Sequence, residues 1–357
     1  MESPVNRTHR SRGAVIAAAV IALGLVASAC GSDNDGGTAD AATDTVAGTA
    51  APSDDSTAPA ETVTENSAAP VAVATEAFDT TPEQDSRIRV DKVDSIAETL
   101  PAEWKESGKL KVGIGEFDAP PLILYADDET TLIGNEIDIA YLVADTLGLE
   151  IDVEPTSWEN LFLSVDSGQY DAAFANITVT EERKEKYDFA SYRVDSLAFE
   201  AKAGSDIVVN GPADVAGLKV AVGSGTNQEQ ILLAWDEENK AAGLEPAEIS
   251  YYQNEADFLL ALDSGRIDLY FGPSPSASYR HETTGKTDIV GVVPGGGDIP
   301  AQIAAMTLKD SGLAAPIAAA LNHVIESGAY GDVLAKWGLD VEAIDASEVN
   351  PPGLPAS

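Results

Sequence analysis

The feature that most constrains this chain is an order of signals that occurs twice. A helical stretch, a Ser-Gly stop, a short variable step, an aspartate and an apolar run appear in Leu161…Ser167-Gly168-Gln169-Tyr170-Asp171. The same order returns in Leu262-Asp263-Ser264-Gly265-Arg266-Ile267-Asp268. Each copy is one helix feeding one buried strand that opens into a polar loop, so the chain folds as two similar lobes facing each other across a cleft. Around these copies strand and helix signals alternate. Lys109–Ile114, Ile151–Val153, Tyr170–Phe174, Leu218–Val222 and Ile267–Phe271 read as strands. Ser95–Lys105, Glu136–Leu147 (amphipathic), Trp158–Val165, Gln228–Trp235, Ala256–Leu262 and two helices over 315–337 fill the gaps. Alternation of this kind predicts an α/β fold with a largely parallel sheet, and the last two helices are expected to return to the first lobe.

The outer parts of the chain have a different composition. Arg7, His9, Arg10 and Arg12 precede a small apolar run that ends in Ala27-Ser28-Ala29-Cys30. A basic start, a short apolar centre and small residues before a cut site make residues 1–30 a secretory signal. Cysteine directly after the small residues resembles a bacterial lipobox and makes Cys30 the lipidated first residue of the mature protein. Residues 31–86 carry Ala, Thr, Asp, Ser, Gly and Pro without periodicity, and are expected to form a disordered acidic linker. As a coil of about 55 residues it spans roughly 40 Å, a leash between membrane and folded part.

Charge and residue counts exclude several classes of function. A formal net charge of -39 on 357 residues repels phosphates, so nucleic acid is not a partner. Cys30 is the single cysteine, which leaves no internal disulfide and no cysteine metal cluster. His9, His281 and His323 are too far apart in sequence for a local metal motif, and no metal or cofactor is expected.

The polar loop after the first repeat, Asn176-Ile-Thr178-Val-Thr180-Glu-Glu-Arg183, delivers an amide, a hydroxyl and a guanidinium to the tip of one strand. Those groups grip a carboxylate, Arg183 as a planar fork and Thr178 as a neutral donor. By composition alone, the reading favoured for Arg183 is one more solvated charge in Glu-Glu-Arg-Lys-Glu-Lys. The second-lobe loop Gly223-Ser-Gly225-Thr226-Asn227 opens a helix, where free backbone N–H groups can meet an anion, although it lacks the third glycine of a dinucleotide fingerprint.

These stretches, with Ser107-Gly-Lys-Leu-Lys-Val-Gly113, Ile133-Gly-Asn-Glu-Ile-Asp-Ile-Ala140, Ile177–Lys184 with Asp188-Phe189, and Ser327–Gly338, resemble the family 3 extracytoplasmic solute-binding proteins. The resemblance covers about Leu110 to Leu339. It implies a type II periplasmic-binding-protein fold, two α/β lobes joined by a two-strand hinge near Tyr192–Asp195 and Ile299–Ile303. Lobe 1 is then expected over 87–194 and 303–345, lobe 2 over 195–302, and a C-terminal tail over 346–357. Carried over by position, Arg183 matches the arginine that holds the ligand carboxylate, Thr178 its helper, and Asn176 the residue whose carbonyl meets the amino group. Gly225, Thr226 and Asn227 match the second-lobe carboxylate loop, and Ser274 and Gln302 fall close to the cleft.

Three positions depart from the family pattern. Pro273 stands where an aspartate pairs with the ligand ammonium, Gly115 where a first-strand aspartate assists, and Asn135 where an aromatic stacks on the ligand. Either Glu116 or Asp118 supplies the missing charge, or the ligand is a carboxylate without the usual amine. The function implied is the tethered, monomeric binding component of an ABC importer on the outer face of a bacterial membrane, presenting an amino acid or related carboxylate to a permease. The alternative is an enzyme on the same scaffold, of dehydratase or lytic transglycosylase type, for which no acid/base pair stands out in the sequence.

Overall fold

The computed structural model describes residues 79–115 and 119–355. Its first lobe opens with the short helices α1 (Asp94–Ala97) and α2 (Ala102–Ser107) and strand β1 (Lys109–Gly115). A small hairpin, β2 (Leu124–Tyr125) and β3 (Leu132–Ile133), leads to α3 (Asn135–Leu147), β4 (Glu150–Thr156), α4 (Trp158–Asp166) and β5 (Ala172–Ala173). The long strand β6 (Tyr187–Lys202) then leaves the first lobe for the second. There β7 (Lys219–Val222), α5 (Asn227–Ala241), β8 (Glu248–Tyr251), α6 (Glu255–Asp263), β9 (Leu269–Pro273), α7 (Ser274–Thr284) and β10 (Thr287–Pro294) follow. Strand β11 (Ala301–Leu308) returns to the first lobe, which α8 (Ala314–Ser327) and α9 (Ala329–Lys336) complete.

The first-lobe sheet runs β4-β1-β5-β11-β6, and the second builds β9, β7 and β8 onto the far half of β6, with β10 on its other edge. Strands β4, β1 and β5 are parallel, as are β9, β7 and β8, whereas β6 and β11 are antiparallel to their neighbours. The sheets are therefore mixed rather than largely parallel. The reason is the pair of crossovers: one strand must carry the chain out and the other must bring it back. They run side by side, Asp195 opposite Ala301 and Val194 opposite Gln302, and together they form the two-strand connection of a type II binding-protein fold.

Two local expectations change. The helix expected over Ser95–Lys105 is two helices, because Pro101 pushes Leu100 out of helical conformation. Helix α3 is not a one-sided amphipath. Ile139, Leu142 and Val143 are as buried as Ile137 and Ala140, since α8 and α9 cover it on the side away from the sheet. Its acids are neutralised from outside: Asp138 meets Arg87, Lys336 and the indole N–H of Trp337, and Asp145 meets Arg89.

Both faces of the first-lobe sheet are packed. One carries Val112, Ile137, Leu321 and Trp337, the other Leu161, Tyr170, Phe189 and Met306. The second lobe has its own core around Phe199, Trp235 and Phe271. Gly134, at φ +129°, lets α3 begin directly against the carbonyl of Leu122, a contact that any side chain would obstruct. The apolar segment before Cys30, residues 31–78 of the acidic leash and residues 356–357 lie outside the described residues. The leash is expected from sequence to run to residue 86, but 79–86 turn back onto the first lobe, where Gln84 is buried and the Thr80 carbonyl accepts the Asp127 N–H at 2.8 Å.

Candidate functional site

The groups of the first-lobe loop are fixed by its backbone. Asn176 adopts φ +52°, a left-handed turn that asparagine tolerates, and its N–H donates to Glu136 Oε2 at 3.0 Å. Thr180 Oγ1 accepts the Arg183 N–H at 3.0 Å and starts the single 3₁₀ turn Arg183–Glu185. That turn projects the Arg183 guanidinium back over the loop. Nη1 donates to the Thr178 carbonyl at 2.7 Å, and Nη2 crosses to the second lobe and donates to the Gly225 carbonyl at 3.1 Å. The rings of Trp158 and Phe162 each lie 5.3 Å from its central carbon. Loss of water around it lowers the Arg183 pKa to about 10, against the attraction of Asp195, so the group stays cationic at neutral pH.

From the second lobe, Thr226 caps α5, accepting the Glu229 N–H at 3.2 Å and donating to the Gly223 carbonyl at 2.7 Å. The Gly225 N–H, one of the groups expected to meet an anion, donates to Glu229 Oε2 at 2.6 Å. Asn227 reaches across to the crossover, its Nδ2 donating to Asp195 Oδ2 at 3.0 Å and to the Gly295 carbonyl at 2.7 Å. Thr178 Oγ1 donates to the same Asp195 oxygen at 2.7 Å. Asp195 thus ties both lobes to the connecting strand, and burial raises its pKa despite these donors and the nearby Arg193 and Arg183.

Sequence reasoning missed Asp195. The signal it could have used is a charged pair, Arg193 and Asp195, two residues apart between the apolar pairs Phe189-Ala190 and Leu197-Ala198 of one long strand. Arg193 is fully buried and bonds Glu136 Oε1 at 2.6 Å, Asn176 Oδ1 at 2.7 Å and the Glu342 carboxylate. These carboxylates hold it charged, and Tyr192 donates to Glu136 beside them. The network fixes Asn176 and the crossover as one unit.

Between the lobes lies a cavity of about 120 Å³. Ala119, Leu122, Ile123, Trp158, Ala175 and Asn176 wall it from the first lobe; Gly223, Ser224, Thr226, Asn227, Gln228 and the segment Tyr252–Glu255 wall it from the second. Phe258, the run Tyr270–Pro273, Ser276 and Arg280 close its far end. Of the residues singled out from sequence, Asn176, Thr226 and Asn227 line this space directly. Arg183, Gly225 and Thr178 stand one step behind it: Arg183 touches Trp158 and Gly225, and Thr178 shares Asp195 with Asn227.

Asn135, Ser274 and Gln302 are not among the lining residues. Asn135, the first residue of α3, is fully buried with both amide atoms lacking a hydrogen-bond partner among the described residues. Ser274 Oγ at the start of α7 and Gln302 Oε1 on β11 are in the same condition. Glu116 and Asp118 lie outside the described residues, as does Cys30; the chain resumes at Ala119 on the cavity wall. Trp158, the first residue of α4, is on the wall, whereas Trp337 is wholly buried. The lining residues Gln228, Tyr252, Glu255, Tyr270 and Arg280 were not foreseen. Asn254-Glu255 reads as an ordinary helix start, and it is one, with Asn254 accepting the Asp257 N–H.

The profile of the bacterial extracellular solute-binding proteins, family 3, matches residues 110–340. The chain is 33% identical over 165 residues to the L-cystine-binding protein TcyJ of Escherichia coli K12, a stretch that covers 46% of this chain and 58% of that protein. It is 26% identical over 275 residues to the arginine-binding protein ArgT of Corynebacterium glutamicum, covering 75% of this chain and 87% of that one. Among solved structures, an ancestral arginine-binding protein bound to arginine superposes with a TM-score of 0.56 at 28% identity, over 64% of this chain and 98% of the other.

Proposed function

Because the chain belongs to the bacterial extracellular solute-binding proteins of family 3, we propose that it is the binding component of an ABC importer that captures an amino acid between two closing lobes. The observation that carries this reading is a single cavity walled by both lobes, beside which the Arg183 guanidinium joins the Thr178 carbonyl of one lobe to the Gly225 carbonyl of the other. A ligand carboxylate offers this guanidinium a charged acceptor in place of a neutral one, and the start of α5 adds the positive end of a helix dipole. Closure follows because the ligand contacts both lobes at once, so binding favours the conformation that brings them together.

In this reading Cys30 carries the lipid, residues 31–78 form the tether, and the protein works on the outer face of the cell membrane, handing its ligand to a permease. The relatives named above bind cystine and arginine, which supports an amino acid rather than a sugar or a metal as cargo. The test is thermal unfolding and calorimetry against the twenty amino acids and a set of simple carboxylates. A ligand at a hundred times its Kd stabilises by about 2.7 kcal/mol, a shift that is easily read. Absence of any shift across the panel refutes the reading. Product analysis of the same mixtures separates a receptor, which returns its ligand unchanged, from an enzyme.

A further inference from the structure

Besides the two crossover strands, the lobes are joined by hydrogen bonds between the protein's own groups. Arg183 Nη2 of the first lobe donates to the Gly225 carbonyl of the second at 3.1 Å, and Ser276 Oγ of α7 donates to the Ala119 carbonyl of the first at 3.2 Å. Both stand at or beside the cavity wall, where a guest competes for the same groups. A third tie is placed differently. Asp195 on β6 is 2% exposed and is not among the residues that line the cavity. One of its oxygens, Oδ2, accepts Thr178 Oγ1 of the first lobe at 2.7 Å and Asn227 Nδ2 of the second at 3.0 Å. A carboxylate oxygen has lone pairs for both donors. Rotation of one lobe about the crossover carries one donor away and leaves the buried carboxylate short of a partner, so the two bonds coexist only with the lobes together.

The surroundings hold the carboxylate in that place. Asn227 Nδ2 also donates to the Gly295 carbonyl at 2.7 Å, and the Gly295 N–H donates to the Asp195 carbonyl at 3.0 Å, so both crossovers meet here. A Cβ on Gly295 would lie 2.5 Å from Asp195 Cβ, Cγ and Oδ2; the side chain of Asp195 fills the space that a side chain at residue 295 would need. The next residue, Gly296, packs against Leu354 of the C-terminal tail, whose backbone pairs with Thr180, two residues after Thr178. The tail therefore backs the return crossover on the side of the first-lobe loop.

From this arrangement we propose that Asp195 is an interlobe latch, which favours the closed arrangement of the lobes by itself and so sets the fraction of the protein that is ready to hold a ligand. It is a positioning residue that acts on the site through Thr178 and Asn227. Its effect on affinity rests on the cleft being the amino-acid site; its effect on the lobes does not. A hydrogen bond to a charged acceptor shifts the closed-to-open ratio roughly ten- to a hundredfold, and apparent affinity falls in proportion to the closed fraction. Two variants perturb the latch by different routes. Asp195→Ala removes the acceptor, and Gly295→Ala keeps the carboxylate but displaces it.

The experiment reads the lobe separation by double electron–electron resonance between nitroxides on Leu163→Cys of α4 and Leu260→Cys of α6, two exposed positions with one on each lobe, in the full chain with Cys30→Ser. With no amino acid added, the parent is expected to show mainly the shorter separation, and both variants to move the distribution to a longer one. The Kd for L-arginine, by calorimetry, is expected to rise at least threefold in each variant. A residue that only supports the fold lowers the melting temperature and leaves separation and Kd where they were. A parent that shows the longer separation until L-arginine is added, or variants whose separation matches the parent's, overturns the latch. Should neither variant fold, the parent's separation without and with L-arginine decides. If no amino acid binds, the cleft reading fails, and the separations in parent and variants still decide the latch.

Discussion

Replacing Arg183 by alanine removes a group whose contacts can be counted. Its guanidinium donates to two backbone carbonyls, Thr178 at 2.7 Å and Gly225 at 3.1 Å, and only the second joins the lobes. A hydrogen bond from a charged group contributes about 1.5–3 kcal/mol, and the Gly225 bond, which is reached by solvent, belongs at the lower end. Because a ligand carboxylate takes the place of a neutral carbonyl as acceptor, the loss on binding is one charge-assisted contact, about 1.5–3 kcal/mol. Calorimetry is therefore expected to show a Kd raised roughly ten- to a hundredfold for any ligand that stabilises the parent protein. Arg183→Lys keeps the charge but loses the fork and the stacking against Trp158 and Phe162, so it recovers part of the affinity and leaves a loss of about tenfold. The fold itself should tolerate both changes, because the cap that shapes the loop uses the backbone N–H of residue 183 and the hydroxyl of Thr180. A Kd for Arg183→Ala within threefold of the parent value refutes the assignment of this guanidinium to the ligand.

Three further outcomes follow from the packing. Arg193→Met leaves the Glu136 and Glu342 carboxylates buried without their cation, and is expected to destabilise by about 3–5 kcal/mol in denaturant unfolding; a loss under 1 kcal/mol refutes the network's role. Burial pushes the Glu342 carboxyl from 4.5 up to about 7, so between those pH values the folded chain retains a proton that the unfolded chain has released. Unfolding free energy therefore falls as pH rises through that window, and Glu342→Gln is expected to flatten this part of the profile; an unchanged slope refutes the attribution. Ending the chain after residue 346 removes the buried Leu354, the bond from the Gly353 N–H to Glu181 at 2.8 Å and the bond from Asn350 to Asp188 at 2.9 Å. One buried leucine and a few hydrogen bonds amount to about 3–5 kcal/mol, read as a lower melting temperature together with weaker ligand binding, because Glu181 and Thr180 shape the Arg183 loop. A truncated chain that melts with the parent would show the tail to be idle.

What could be seen in the sequence was what is encoded locally. Helix starts, glycine stops and apolar strands depend on neighbours in the chain, so α3, α4, α5 and α6 fall within a residue or a few of their expected starts. The bond from the Arg183 N–H to Thr180 Oγ1 is likewise a three-residue signal. The sheet's mixed sense was not legible, because no local pattern tells an apolar strand which way its neighbour runs. The charged connection was hidden for the same reason: Arg193 is separated from Glu136 by 57 residues and from Glu342 by 149. Asp195 finds Asn227 and Thr178 only after both lobes have formed.

The cavity's far end carries this furthest. Glu255 announces itself as the first residue of a helix behind a capping asparagine, and Arg280 as a polar residue within another helix; neither signal mentions the other. A first-turn glutamate is favourable at a helix N-terminus whatever it faces, so the local explanation is sufficient and conceals a second role. The local and the tertiary demands coincide at that residue: Glu255 opens α6 and also accepts from Nη1 of Arg280, a buried guanidinium held chiefly by Glu200.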